Sequence, residues 1–289
     1  MKVGTFQAGE GSRLVGELEG ETVYRLAAGS VIAWLRGEGR ERTGEPLDIG
    51  DLRTLAPVPE PPSLRDFYAF EEHVAAGARL RGTKVAPYWY EAPAFYFSNP
   101  ASIRGPGEAV ERPPATRMLD FELELAAIVG VPVAGAGLDE TGLGIAGFTL
   151  MNDWSARDVQ AQEMTVGLGP HKAKDFATSL GPLLVTPDEL PYEDGRLQLG
   201  ARVIVNGDEI ASSDSGGQHF GWPEILAHAA RDTRLRPGDV LGSGTLAGGC
   251  LLELGPLADP ERPDGRFIEP GDVVALEADG LGRLENPVV

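Results

Sequence analysis

The segment "RMLDFELELAAIVG" (117–130) alternates Phe121, Leu123 and Leu125 with Glu122 and Glu124. That is the period of a β-strand, so the two glutamates share one face, roughly 7 Å apart. Asp120 reads as a cap at the strand entrance, and Ala126 to Val129 read as core. Other strand-like runs are "GFTLMND", "RVIVNGDEI" and "VVALEADG". Residues 1–55 carry short apolar runs (Val3–Phe6, Leu14–Leu18, Val23–Leu26) separated by "AGEGS" and "EGE", the pattern of hairpins. "SVIAWLRG" (30–37) reads as a short helix. "SLRDFYAFEEHVAAGARLRG" (63–82) predicts a longer one. Ser63 would cap it, Asp66 would complete a capping box, Leu64, Phe67, Phe70, Val74 and Leu80 would face the core, and Gly82 would end it. "GWPEILAHAARD" (221–232) predicts another, with Pro223 in its first turn.

These elements give a mostly β chain with some α, an α+β class. The proline-rich "APVPEPPS" (56–63) marks a boundary. It separates a small N-terminal β-rich domain (1–55) from a large domain (63–289) through a linker (56–62).

Composition narrows the function. The chain has 289 residues, a net charge of −19 and a pI near 4.6. A nucleic-acid partner needs a cationic footprint, so this charge argues against one. No run of about 18 apolar residues is present, which argues against a membrane span, and the first residues lack the apolar stretch of a signal peptide. Cys250 is the one cysteine, so no internal disulfide forms. A cytoplasmic location is expected.

Two glutamates on one strand face repel in water, and a hard divalent cation between them removes the repulsion. A second acid cluster, "GFTLMNDWSARDVQ" (147–160), ends a strand at Asn152-Asp153 and enters a turn. The pair E-x-E and N-D-x-S-A-R-D-x-Q resembles the signature of the fumarylacetoacetate hydrolase superfamily, in its fumarylacetoacetase-like branch. "VNGDEI" and "LRPGDVLGSGT" extend the resemblance over roughly residues 60–289.

The resemblance implies a rolled β-sheet fold and a homodimer formed through the large domain. It also implies a divalent cation, Mg²⁺ first with Mn²⁺ or Ca²⁺ as alternatives, on Glu122, Glu124 and Asp153, with Asp66 as a fourth carboxylate. Histidine and cysteine are absent from that set, which disfavours zinc. "DFYAFEEH" (66–73) matches the segment that supplies the water-activating histidine, His73. On a helix over 63–82, His73 would lie about two turns beyond Asp66 on the same face. A histidine base needs an orienting acid. Some relatives place it three residues later, but that position is Ala76 here, so Glu253 in "CLLEL" takes the part. Lys174 resembles the lysine near the developing oxyanion, and Lys172 reads as its solvated neighbour. Arg157, Gln160, Tyr68, Tyr96 and Thr245 resemble substrate contacts, and glycines beside Thr245 would bring backbone N–H groups to a substrate carboxylate. Two departures stand out: Asp175 where serine is usual, and Met164 where fumarylacetoacetase has a tyrosine.

The implied reaction is hydrolytic cleavage of a carbon–carbon bond in a β-diketo acid, such as an acylpyruvate. The alternative on the same site is a lyase: a β-keto acid decarboxylase, a 2-keto-3-deoxy sugar acid dehydratase or an enol–keto isomerase. A non-catalytic binding protein is disfavoured because His73, Lys174 and all four carboxylates are present together.

Overall fold

The computed structural model describes residues 1–9, 11–131, 133–134 and 144–289. The chain is built from strands with few helices. Fifteen strands carry the account: β1 (Lys2–Ala8), β2 (Arg13–Glu19), β3 (Thr22–Arg25), β4 (Leu47–Asp48), β5 (Leu52–Thr54), β6 (Leu64–Phe67), β7 (Phe95–Ser98), β8 (Leu123–Val129), β9 (Ile145–Asp153), β10 (Thr178–Val185), β11 (Gly200–Val205), β12 (Asp208–Asp214), β13 (Val240–Gly242), β14 (Val273–Ala278) and β15 (Gly282–Pro287). The helices are α1 (Val31–Leu35), α2 (Glu71–Leu80), α3 (Arg157–Glu163), α4 (Trp222–Ala230) and α5 (Leu251–Leu254). No described helix is long and apolar enough to cross a membrane.

One 12-stranded sheet runs in the order β4-β3-β2-β1-β10-β9-β8-β13-β6-β7, with β5 on β1 and Ile103–Arg104 on β10. A second sheet runs β12-β11-β14-β15. Its first hairpin turns at Asn206-Gly207, both at positive φ (55° and 90°), which those residue types adopt readily. In the hairpin turn predicted at 8–12, residue 10 lies outside the described residues.

β8 is the central strand, and all seven of its residues are buried. Leu123, Leu125, Ala127 and Val129 join one core cluster, while Ala126 and Ile128 join another on the opposite face. The sheet is therefore covered on both sides here. Glu124 belongs to the second face and lies at a buried end of the strand, and Glu122 lies just before β8 begins.

The helix expected over 63–82 is two elements. Residues 64–67 form β6, with all four buried, parallel to β13 and antiparallel to β7. The apolar spacing suits either conformation, and ladder partners on both edges decide for the strand. The Ser63 hydroxyl donates to Asp239 Oδ1 at 2.7 Å and caps no helix. Asp66 lies on β6, so the helical register proposed between Asp66 and His73 does not exist. Residues 68–70 lead from β6 into α2, and Asp66 and His73 line the same cavity.

Residues 1–55 do not make a sheet of their own. β1 pairs with β10 through Lys2↔Val185 and Val3↔Leu184. Val3, Val15, Val31 and Trp34 share a core cluster with Leu64, Ile128, Met151 and Leu184. The 56–62 segment is thus a crossing between strands of one sheet. Trp34→Ala should cost about 3–5 kcal/mol and lower the melting temperature of the whole chain in a single transition. Two separate transitions by calorimetry would contradict the shared core.

Candidate active site

The site forms where five strands of the large sheet end together. Asp66 on β6 pairs with Tyr96 on β7 and with Gly242 on β13. Glu124 lies on β8, the strand on the other side of β13. Gly242 is what lets the two acids meet. A Cβ there would stand 2.5 Å from Asp66 Oδ1, 3.1 Å from Glu124 Oε2 and 2.3 Å from the Met151 methyl. β9 ends at Asp153, whose N–H donates to the Glu122 carbonyl at 3.3 Å.

The result is a cluster of Asp66, Glu122, Glu124 and Asp153, all buried, whose ligand atoms lie within 4.8 Å of one another. Two cations face it. Lys174 Nζ lies 2.5 Å from Glu122 Oε2 and also donates to Asp153. Arg157 Nη1 lies 2.8 Å from Glu122 Oε1. Burial pushes Glu122 up, but Lys174, Arg157 and His73 together outweigh it and hold the carboxyl below its usual range. Burial raises Asp66 and Glu124 well above theirs, and neighbouring carboxylates add to it. Burial also raises Asp153, against the pull of Lys174. Burial works against the Lys174 charge, yet Asp153 and Glu122 keep its ammonium above the ordinary range.

The donor set suits a divalent cation. Asp66 Oδ1 and Asp153 Oδ1 are buried without a hydrogen-bond partner among the described residues. Leaving buried oxygens unpaired is costly, and an all-oxygen cluster is the ligand chemistry of a hard ion.

His73 stands at the start of α2, beside this cluster. Its Nδ1 lies 2.5 Å from Glu253 Oε1, and its Nε2 lies 4.0 Å from Glu122 Oε1. Glu253 sits on the short helix α5, and its Oε2 accepts from the Gly248 N–H at 3.1 Å. Burial raises the Glu253 carboxyl, but its hydrogen bond and charge interaction with His73 bring it below its ordinary value. An ionised Glu253 accepts a hydrogen bond from Nδ1–H and so turns Nε2 toward the carboxylates.

The remaining candidates gather in the same cavity of about 570 Å³, lined by Tyr68, Tyr96, Arg157, Gln160, Lys174 and Thr245 among others. Several make contacts that differ from the expected substrate roles. The Tyr96 hydroxyl donates to Asp153 Oδ2 at 2.5 Å. Gly244 N–H, expected to face a substrate carboxylate, donates to Glu124 at 3.1 Å, and the Thr245 hydroxyl reaches the same carboxylate at 3.4 Å. Arg157 is buried, with its Nε 2.7 Å from Asp120 Oδ2, and only Nη2 has no partner among the described residues. Tyr68 stands edge-on to His73, with ring centroids 5.3 Å apart. Lys172 is exposed and paired with Asp175.

Asp120 was read as a strand cap, and its actual role is larger. Besides holding Arg157 it accepts from the N–H groups of Leu251 (2.8 Å) and Leu252 (3.1 Å), which open the helix that carries Glu253. It thereby fixes a cation of the carboxylate cluster and the acid behind His73 at once. The signal was present in the sequence, since Asp120, Glu122 and Glu124 share one period-two register. Cys250 Sγ, 3.6 Å from Glu253 Oε1, also went unread.

Residues 63–289 match the family model described as fumarylacetoacetate hydrolase, C-terminal. The fumarylacetoacetase of Oryza sativa subsp. japonica is 32% identical over 297 residues, covering 83% of this chain and 68% of that protein. A mitochondrial oxaloacetate tautomerase of Xenopus laevis is 32% identical over 189 residues, covering 65% of this chain and 56% of that protein. The crystal structure of a 5-carboxymethyl-2-hydroxymuconate delta-isomerase from Mycobacterium smegmatis superposes with a TM-score of 0.75 over 100% of this chain and 99% of that one. At 24% identity, that likeness bears on the fold alone. The chain spans about two thirds of the length of its curated relatives, or slightly less.

Asp120→Asn keeps the side chain's size but removes the charge opposite a buried guanidinium. It should cost about 3 kcal/mol in denaturant unfolding. A loss below about 1 kcal/mol would be the size of an exposed pair and would refute the anchoring role.

Proposed function

The chain belongs to the fumarylacetoacetate hydrolase family, and from that premise we propose that it is a metal-dependent hydrolase of a β-diketo acid, cleaving a carbon–carbon bond in an acylpyruvate or fumarylacetoacetate-like compound. One observation carries the reading. His73 has its Nδ1 on Glu253 at 2.5 Å while its Nε2 faces the carboxylate cluster. That is the arrangement of a general base with its orienting acid.

Asp66, Glu122, Glu124 and Asp153 would hold the ion, with Mg²⁺ the first choice and Mn²⁺ or Ca²⁺ the alternatives. Once bound, it would offset the buried negative charge and polarise the oxygens of a dicarbonyl. His73 Nε2 takes a proton from water, and the water oxygen bonds to the acyl carbonyl carbon. Lys174 and Gln160 stabilise the resulting oxyanion, and Arg157 offers Nη2 to the substrate. The bond between the acyl carbon and the methylene breaks, its electron pair passes to the departing pyruvate enolate, and His73 returns the proton to the methylene carbon. An acylpyruvate and water thus give a carboxylate, pyruvate and one proton. Thr245 and Tyr96 hold the acids in place. Catalysis takes place in a homodimer, a state that light scattering at micromolar concentration checks.

A delta-isomerase shares this fold, and an oxaloacetate tautomerase is a sequence relative. Those reactions need the polarised dicarbonyl but no hydrolytic water. His73→Ala should therefore slow acylpyruvate hydrolysis by about 10²–10⁴-fold, affect oxaloacetate tautomerisation or decarboxylation far less, and leave Mg²⁺-dependent thermal stabilisation in place. A wild type that cleaves no acylpyruvate but turns over oxaloacetate quickly, or a His73→Ala variant as fast as wild type, would replace the hydrolase reading.

A further inference from the structure

Two helices leave the catalytic end of the cavity, and each presents one graded face to it. On α2 the lining positions are His73, Gly77, Leu80 and Arg81; on α3 and its continuation they are Arg157, Gln160, Ala161 and Met164. Both sets follow the i, i+3/i+4, i+7 spacing of a single helical face. Both start with a polar group at the carboxylate cluster, pass a small residue and reach a large apolar one.

The small residues keep the way open. A Cβ at Gly77 would stand 3.1 Å from the Tyr68 hydroxyl and 3.2 Å from the Arg81 guanidinium. The apolar ends line the mouth yet remain open to solvent: Leu80 is 62% exposed, Met164 42% and Leu168, in the following turn, 73%. Leu80 lies seven residues beyond His73, or about 10 Å along the helix. Large side chains left exposed on the walls of a cavity that reaches a reactive centre are a place for ligand surface to be buried.

We propose that this mouth is the specificity subsite for the acyl end of the substrate, and that it takes an uncharged aliphatic or aromatic group several carbons long. The proposal rests on the hydrolase reading for its geometry. Water delivered by His73 attacks the acyl carbonyl, so the group beyond that carbon is directed along α2 toward Leu80. The charges of Lys174 and Arg157 are taken up by acids at the inner end. Among the described residues, Arg81 is the one cation that lines the mouth, beside Tyr68. Against that single cation stand Leu80, Met164 and Leu168, so the lining favours an uncharged distal group over a second carboxylate, which Arg81 would take.

The test uses the Mg²⁺-loaded protein and four 3-acylpyruvates, whose acyl substituents are methyl, butyl, hexyl, and pentyl ending in a carboxylate. In wild type, kcat/KM should rise about threefold per methylene from methyl to hexyl, the scale of burying a CH₂ group. The carboxylated compound should fall below hexyl. Leu168→Ser and Leu80→Ser, at exposed positions that tolerate substitution, should each pull the hexyl-to-methyl ratio toward one. A flat series, preference for the carboxylated compound, or variants that keep the wild-type ratio would overturn the subsite.

If no member is cleaved, the hydrolase reading fails, and calorimetric binding of the same compounds still decides the subsite. Tighter binding of hexyl than methyl, reduced in Leu168→Ser, supports it; equal affinity overturns it.

Discussion

Four carboxylates buried within 4.8 Å of one another are the constraint on which the rest of this structure depends. Unpaired buried charge is among the most expensive features a fold can contain. The protein meets that cost with Lys174 and Arg157, both buried beside Glu122. Asp120 also draws on Arg157, so the inner site holds more acid than base. Asp66 and Glu124 are pushed up mainly by burial, and two carboxylate oxygens lack partners. A hard divalent cation would offset this excess of negative charge and give the unpartnered oxygens a ligand role.

The sheet supplies the geometry. Asp66 and Glu124 come from strands on either side of β13 and meet over Gly242, the one residue type whose missing Cβ leaves room. Asp153 ends the neighbouring β9, and Tyr96 pairs across from Asp66. Asp120 then links this centre to the start of α5, so Glu253 arrives where His73 Nδ1 can use it. Charge compensation and base orientation are thus mechanically joined. From there α2 and α3 lead outward along faces that turn from charged to apolar.

The strands were legible because their signals are local. The run "LELAAIV" coincides with β8, the 1–55 hairpins lie where their apolar runs and turns place them, and the helix at 221–232 is α4 with Pro223 in its first turn. The segment 63–82 misled because Leu64, Phe67 and Phe70 fit a helical face as well as a strand. Only the ladder partners of β6, distant in sequence, choose between them. The same distance hid the union of residues 1–55 with the large sheet, which runs through two residue pairs of β1 and β10. Glu122 and Glu124 stood out by their shared strand face, and Asp153 by the motif that carries the family resemblance. Asp120 did not, because its partners Arg157, Leu251 and Leu252 come from two other parts of the chain. The outer mouth was unreadable for a similar reason: Leu80, Met164 and Leu168 come from separate parts of the chain and line one cavity only once it has folded.

The central claim is that the buried acids are balanced by an ion. The direct measurement is calorimetric titration of Mg²⁺ into EDTA-treated, dialysed protein, paired with a thermal melt at each step. The account predicts one ion per chain and a rise in stability of about 2.7 kcal/mol at a hundredfold excess over Kd, both lost in Glu124→Ala. Binding heat and melting temperature that do not respond to Mg²⁺, Mn²⁺ or Ca²⁺ would contradict it.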